Sequence, residues 1–115
     1  MNKSDVAALA ERAKGGDKSA FDNLYYEFGG KVFYFARQNL ASDEAAEDVV
    51  SEVFIAALEN ISTLRRGESF VGWLYTICYN KCIRYNKAEQ KNEYFESTEQ
   101  LDELMLNDPV MLPDD

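Results

Sequence analysis

The chain has 115 residues, 46% of them hydrophobic and 13% aromatic, which is enough for one domain with its own core and short for two. That apolar content excludes wholesale disorder. The absence of histidine excludes most zinc sites and histidine-based catalysis, and the net charge of −9 argues against plain duplex-DNA affinity.

The acidity is not spread evenly. From residue 89 onward nine acidic residues face a single base, Lys91, so residues 1–88 are close to neutral and free to carry a basic face. Only six Gly and two Pro occur, and both prolines, Pro109 and Pro113, fall near the end. That distribution predicts an all-α fold, a compact bundle of about four helices with an acidic, loosely structured C-terminal tail. The predicted division is a helical domain over 1–91 and an acidic linker or tail over 92–115.

The first helix is predicted over 5–14, with Val6, Leu9, Ala10 and Ala13 on one face and Gly15-Gly16 as its stop. Asp17 or Ser19 can cap the second, whose apolar positions are Phe21, Leu24, Tyr25 and Phe28. Gly29-Gly30 interrupts the pattern, but Val32, Phe33, Phe35 and Ala36 continue its period. One long helix with a weak point is therefore expected.

Ser42 caps the third helix, and Asp43, Glu44, Glu47 and Asp48 suit the positive end of its dipole. Its apolar stripe is Ala46, Val49, Val50, Val53, Phe54, Ala57, Leu58 and Ile61. The opposite stripe holds Glu44, Asp48, Ser51, Glu52 and Ile55. A loop over 62–68 carries Arg65, Arg66 and Gly67 before Ser69 caps a fourth helix running to about Ala88. Phe70, Trp73, Leu74 and Ile77 form its expected buried stripe, with Cys78 and the stem of Lys81 beside them. Beyond it, a short helix around Glu99–Leu106 is compatible with the sequence.

Cys78 and Cys82 stand four apart on that helix, where a disulfide is disfavoured and no further ligands exist for zinc; both are expected to be small buried or half-buried thiols. No secretory signal is visible at the N-terminus, and the longest uncharged stretch, Ser69–Asn80, is too short to span a bilayer. A soluble, cytoplasmic protein without membrane insertion is expected, with no cofactor.

Three blocks occur in order: residues 16–40 (GDKSAFDNLYYEFGGKVFYFARQNL), 43–61 (DEAAEDVVSEVFIAALENI) and 64–87 (LRRGESFVGWLYTICYNKCIRYNK). Together they resemble region 2 of sigma-70 family factors, specifically the small extracytoplasmic-function (ECF) branch. The resemblance implies a transcription initiation domain that binds core RNA polymerase and melts the minus-ten promoter element through its non-template strand. It also implies an anti-sigma factor as a further partner.

Carried onto this chain, the family's docking face for the coiled coil of the polymerase's largest subunit falls on Glu47, Asp48, Ser51, Glu52 and Ile55, with Phe54 packing behind. Carboxylates four apart share one helix face and suit bidentate arginine partners. The alternative for these acids is a solvated helix face. Ser51 stands where the family more often has Gln.

The second implied surface is the loop and fourth helix, which would hold the opened strand. In the loop it comprises Arg65, Arg66, Gly67, Glu68 and Ser69, forming a pocket for a flipped base with the two arginines at its rim. On the exposed side of the helix it comprises Tyr75, Thr76, Tyr79, Asn80, Ile83, Arg84 and Lys87. Aromatic, amide and basic groups interleave there, as single-strand capture requires. Phe70 and Trp73 are expected to pack in the core instead. Departures from the family helix are Tyr79, where an arginine is usual, and Arg84, where an acid is usual. No counterpart of the second, helix-turn-helix domain of such factors (region 4) is expected after residue 91, so an excised domain with part of its linker is expected, the alternative being a truncated factor.

An enzyme is disfavoured, because no phosphate loop, nucleophile elbow or paired-carboxylate spacing is present. The competing function is a helical interaction module that binds polymerase or another protein without reading DNA. Such a module has no need for Arg65, Arg66, Asn80, Arg84 and Lys87 interleaved with Tyr75 and Tyr79.

Overall fold

The computed structural model describes residues 1–90, and within them the chain folds as four α-helices and two short 3-10 turns. The helices are α1 (Lys3–Lys14), α2 (Lys18–Asn39), α3 (Asp43–Asn60) and α4 (Phe70–Gln90). The 3-10 turns, Ile61–Thr63 and Gly67–Ser69, sit between α3 and α4. The acidic tail and the helix predicted around Glu99–Leu106 lie outside the described residues.

Each helix begins where a side chain can satisfy its first amides. Asn2 Oδ1 accepts from Asp5 N–H at 2.8 Å, so α1 starts two residues before the predicted boundary. Gly15 and Gly16 then end it. Gly16 has φ +101°, a left-handed conformation that glycine adopts at little cost. Asp17 caps α2 by accepting from Ser19 and Ala20 N–H, while its second oxygen accepts from Arg12 Nε at 3.0 Å. The bond from Arg12 is the main reason the Asp17 carboxyl is held below its ordinary pKa. Ser42 caps α3 as predicted. The turn before it is pinned by Arg37, which donates to Asp43 Oδ1 at 2.8 Å and to the Leu40 carbonyl at 2.9 Å.

No break occurs at Gly29-Gly30. Neither glycine has a positive φ, and α2 runs through both because Phe28, Val32 and Ala36 on either side stay buried in one stripe. A Cβ added at Gly30 would meet no atom within 4 Å.

The core forms where α4 lies against both α2 and α3. Leu24 and Val32 from α2, Val49 and Val53 from α3, and Phe70, Leu74, Cys78 and Cys82 from α4 are its largest fully buried side chains. Burying a side chain of this kind contributes about 1.5–3 kcal/mol. Phe28 and Phe70 meet edge to face with centroids 5.9 Å apart. α1 closes the bundle with Val6, Ala10 and Ala13. The two cysteines are free and buried, and hydrogen bonding to Cys82, with burial, pushes the Cys78 thiol up. Both therefore act as small core residues, and Cys82 joins the stripe expected of α4, with Trp73 and Ile77 half-buried against it.

Gly30→Ala should stabilise the domain by about 0.5–1 kcal/mol, because the site is helical and has space for a methyl group. Chemical denaturation at constant m-value would measure the gain.

Candidate functional site

The loop between α3 and α4 is held by α1, far away in sequence. Gly67 N–H donates to Glu11 Oε2 at 2.7 Å, and Lys14 Nζ donates to the Arg65 carbonyl at 2.9 Å. The bond from Gly67 is the principal reason the Glu11 carboxyl sits below its ordinary pKa. A Cβ at Gly67 would collide with the Ala7 carbonyl oxygen and lie 3.1 Å from Glu11 Cγ. Gly67 and Ser69, both predicted as strand contacts, are buried, Gly67 by this packing. Arg65, Arg66 and Glu68 remain on the exposed side of the loop.

A cleft of about 520 Å³ opens between the loop, the start of α1 and the middle of α2. Val6, Phe28, Lys31, Gly67, Glu68 and Val71 are among its walls. The loop contributes Gly67 and Glu68 to its lining, and Gly67's contact with α1 draws that end of the turn inward.

Along α4 the predicted contacts divide. Arg84 and Lys87 are exposed, and Tyr79 is half-buried. Tyr75 lies edge to face on Phe35 of α2, centroids 5.2 Å apart, and burial pushes its phenol pKa up. Tyr79 approaches the same ring at 6.4 Å. Asn80 is half-buried, and its Oδ1 is shielded from solvent with no hydrogen-bond partner among the described residues. Thr76 and Ile83, predicted on the exposed side, are 4% and 8% exposed. The Thr76 hydroxyl donates to the Gly72 carbonyl of its own helix at 2.8 Å, and Ile83 is an apolar side chain withdrawn from water. Neither is available as drawn from the sequence. Phe70 is fully buried and Trp73 packs partly buried against the core, as expected.

A second groove escaped the sequence reasoning. Gly30, Lys31, Tyr34, Phe35 and Gln38 of α2 and Tyr75 of α4 border a shallow, open groove of about 600 Å³. Its signal was the spacing of Glu27, Lys31, Tyr34 and Gln38, which places one polar and aromatic strip beside the apolar stripe.

On α3, Glu47, Asp48, Ser51, Glu52 and Ile55 are all exposed, Ile55 by 58%. Phe54 is buried behind them and meets Tyr25 of α2 edge to face at 4.9 Å. Leu58, predicted in the buried stripe, is 47% exposed because it lies at that stripe's outer edge. With Ile55 and the half-exposed Tyr25 it adds apolar surface to the acidic face. Glu52 reaches Lys81 Nζ of α4 at 4.0 Å. Burial and then the charges of Glu89, Asp48 and Glu44 push the Tyr85 phenol pKa up.

Among the described residues no cluster of three or more histidine, cysteine or carboxylate side chains could hold a metal ion, and no helix is long and apolar enough to cross a membrane.

The profile of the sigma-70 region 2 family matches residues 24–92. The chain is 34% identical over 83 residues to the ECF RNA polymerase sigma factor BldN of Streptomyces coelicolor, an alignment covering 71% of this chain and 31% of that protein. It is 35% identical over 82 residues to the ECF RNA polymerase sigma-E factor of Haemophilus influenzae, covering 71% and 43% respectively. Against the ECF RNA polymerase sigma-E factor of Escherichia coli K12 it is 30% identical over 118 residues, covering 93% and 61%. The chain thus spans about a third to three-fifths of the length of these relatives. No solved structure gives a significant match.

Gly67→Ala should cost about 1–3 kcal/mol, because the methyl group must displace backbone of α1 rather than a flexible side chain. Thermal unfolding would show it. The Glu11 carboxylate's hold on the loop should be complete above its unfolded value near 4.5 and be lost as the pH falls through the lower folded value. The Gly67 amide resonance should therefore titrate below pH 4.5.

Proposed function

The chain belongs to the sigma-70 region 2 family, in its ECF branch, and on that premise we propose that it docks on core RNA polymerase and captures the non-template strand of the minus-ten element as the promoter opens. The helical domain of residues 1–91 carries both tasks, and 92–115 is linker or tail. The observation that carries this reading is the presence of two chemically different faces on one bundle. One is the exposed acidic and apolar face of α3, and the other is the edge where α4 and its loop meet α1 and α2.

For docking, Glu47, Asp48 and Glu52 offer carboxylates to arginines of the largest subunit's coiled coil, and Ser51 and Ile55 fill the space between them. Tyr25 and Leu58 add apolar contact at the margin. This arrangement favours steering by charge and anchoring by apolar contact. An anti-sigma factor would act by covering the same face, and the work is done in the cytoplasm, where polymerase is.

Strand capture has to offset unstacking of about 1.4 kcal/mol per base-pair step. Stacking one freed base on an aromatic ring returns about 1–3 kcal/mol, and phosphate contacts add a salt-sensitive share. Tyr75 and Tyr79 supply rings; Arg65, Arg66, Arg84 and Lys87 supply charge. Asn80, whose Oδ1 lacks a partner among the described residues, supplies an amide for a base edge. Glu68 lies at the mouth of the loop cleft, where it can accept from a base amine. Gly67, Ser69, Thr76 and Ile83 shape this surface from within instead of touching the strand.

Titration of the chain with core polymerase, followed by a fluorescent single-stranded minus-ten oligonucleotide, tests the reading. Asp48→Arg combined with Glu52→Arg should weaken core binding by more than about 100-fold, since like charges across an interface cost several kcal/mol. The fold should survive, because the long, exposed Glu52–Lys81 pair contributes little. Asn80→Ala should weaken strand capture about tenfold with core binding intact. Arg84→Ala should lower the slope of log affinity against log salt by about 0.7. Core binding without any strand capture would instead assign the chain to the class of pure interaction modules.

A further inference from the structure

The groove between α2 and α4 lies outside every surface assigned above, although Tyr75 forms one of its walls. Its lining of Gly30, Lys31, Tyr34, Phe35, Gln38 and Tyr75 contains no acidic residue, in a chain whose net charge is −9. Tyr34 is 67% exposed, so an unpartnered aromatic face stands at the rim instead of in the core. Lys31 lines this groove and the loop cleft alike, so the two adjoin at that residue of α2. Its ammonium donates to Glu27 Oε2 at 3.0 Å and lies 5.3 Å from the centre of the Phe28 ring. Those contacts hold it in place, and an ammonium group has three donors, so a second acceptor can still be bound.

We propose that this groove is a nucleotide subsite: a base of the opened strand stacks on Tyr34, Gln38 reads its edge, and Lys31 contacts the phosphate that links it to the nucleotide in the loop cleft. The inference rests on the functional reading above and extends the strand's path from α4 onto α2. The chemistry is that of single-strand platforms, in which an aromatic ring, an amide and a cation meet, and a phosphate bound there shares the Lys31 ammonium with the Glu27 carboxylate. The groove is shallow and open to solvent, a shape that suits a base stacked on a surface ring. The scale also fits. Seven residues of helix separate Lys31 from Gln38, a rise of about 10 Å, which a nucleotide and its linking phosphate can cover. Phe35 joins the groove to the α4 surface, because the same ring carries Tyr75 and Tyr79.

Two kinds of variant separate this subsite from a structural role. Tyr34→Ala removes the platform, and Tyr34→Phe restores the ring. Gly30→Leu fills the groove from its floor, at a helical position where an added Cβ meets nothing within 4 Å. Tyr26→Ala is the control, since Tyr26 is 82% exposed and lines neither the groove nor the cleft. The full chain bound to core polymerase would be titrated with the same fluorescent single strand. Tyr34→Ala and Gly30→Leu should each lose about tenfold in strand affinity, with core affinity and thermal stability retained. Tyr34→Phe and Tyr26→Ala should match the unmodified chain. Strand capture by the unmodified chain that Tyr34→Ala and Gly30→Leu leave unchanged would overturn the subsite and spare the functional reading. Failure of the unmodified chain to capture any strand would overturn both.

Discussion

The close approach of Gly67 to α1 sets the position of the loop, the entry to α4 and the cleft beside them. A residue with a side chain cannot occupy that point without displacing the Ala7 carbonyl, and the Gly67 amide is bound by Glu11. Lys14 holds the same loop at the Arg65 carbonyl. Together these bonds fix where the chain enters α4, one turn before Phe70 takes its place in the core. The cleft exists because the backbone is drawn inward there while α2 stays straight beneath it. A looser loop would leave neither a defined cleft nor a defined start for α4.

From that start α4 runs between two neighbours of different character. On one side it meets α2 through Phe35, Tyr75 and Tyr79, an aromatic seam bordered by Lys31 and Gln38. On the other it lies beside the acidic face of α3, where Lys81 approaches Glu52 and Tyr85 feels Asp48 and Glu44. A single helix thereby separates the surface proposed for the strand from the one proposed for polymerase. The overall charge of −9 does not conflict with this, because most of it lies from residue 89 onward. Charges within the bundle are close to balance, and their placement decides the field that a strand or a coiled coil would meet.

The sequence made local features legible and tertiary ones less so. Ser42 with the acids after it announced the start of α3, and Gly15-Gly16 announced the end of α1, because caps and turn glycines act within a few residues. The exposure of Asp48, Ser51, Glu52 and Ile55 followed from helical period, and Glu47 joined them through the family resemblance. Burial of Gly67 was not legible, since its acceptor Glu11 is 56 residues away. Thr76 and Ile83 fell on a face that period marks as outer, but a hydroxyl turned onto its own helix and an apolar side chain withdrawn from water override that reading. The groove on α2 was missed for a related reason. Tyr34 and Gln38 look like ordinary surface residues until Tyr75 from α4 supplies the opposite wall.

Polymerase and promoter strand are assigned here to different faces of one bundle. Amide hydrogen exchange on the full chain would test that division, with core polymerase and a single-stranded minus-ten oligonucleotide added in turn. Polymerase should protect α3 around residues 47–55. Addition of the strand should then protect the 65–69 loop and the facing edges of α2 and α4 without further change in α3. Protection of α3 by the strand, or protection by polymerase confined to the loop and α4, would contradict the division.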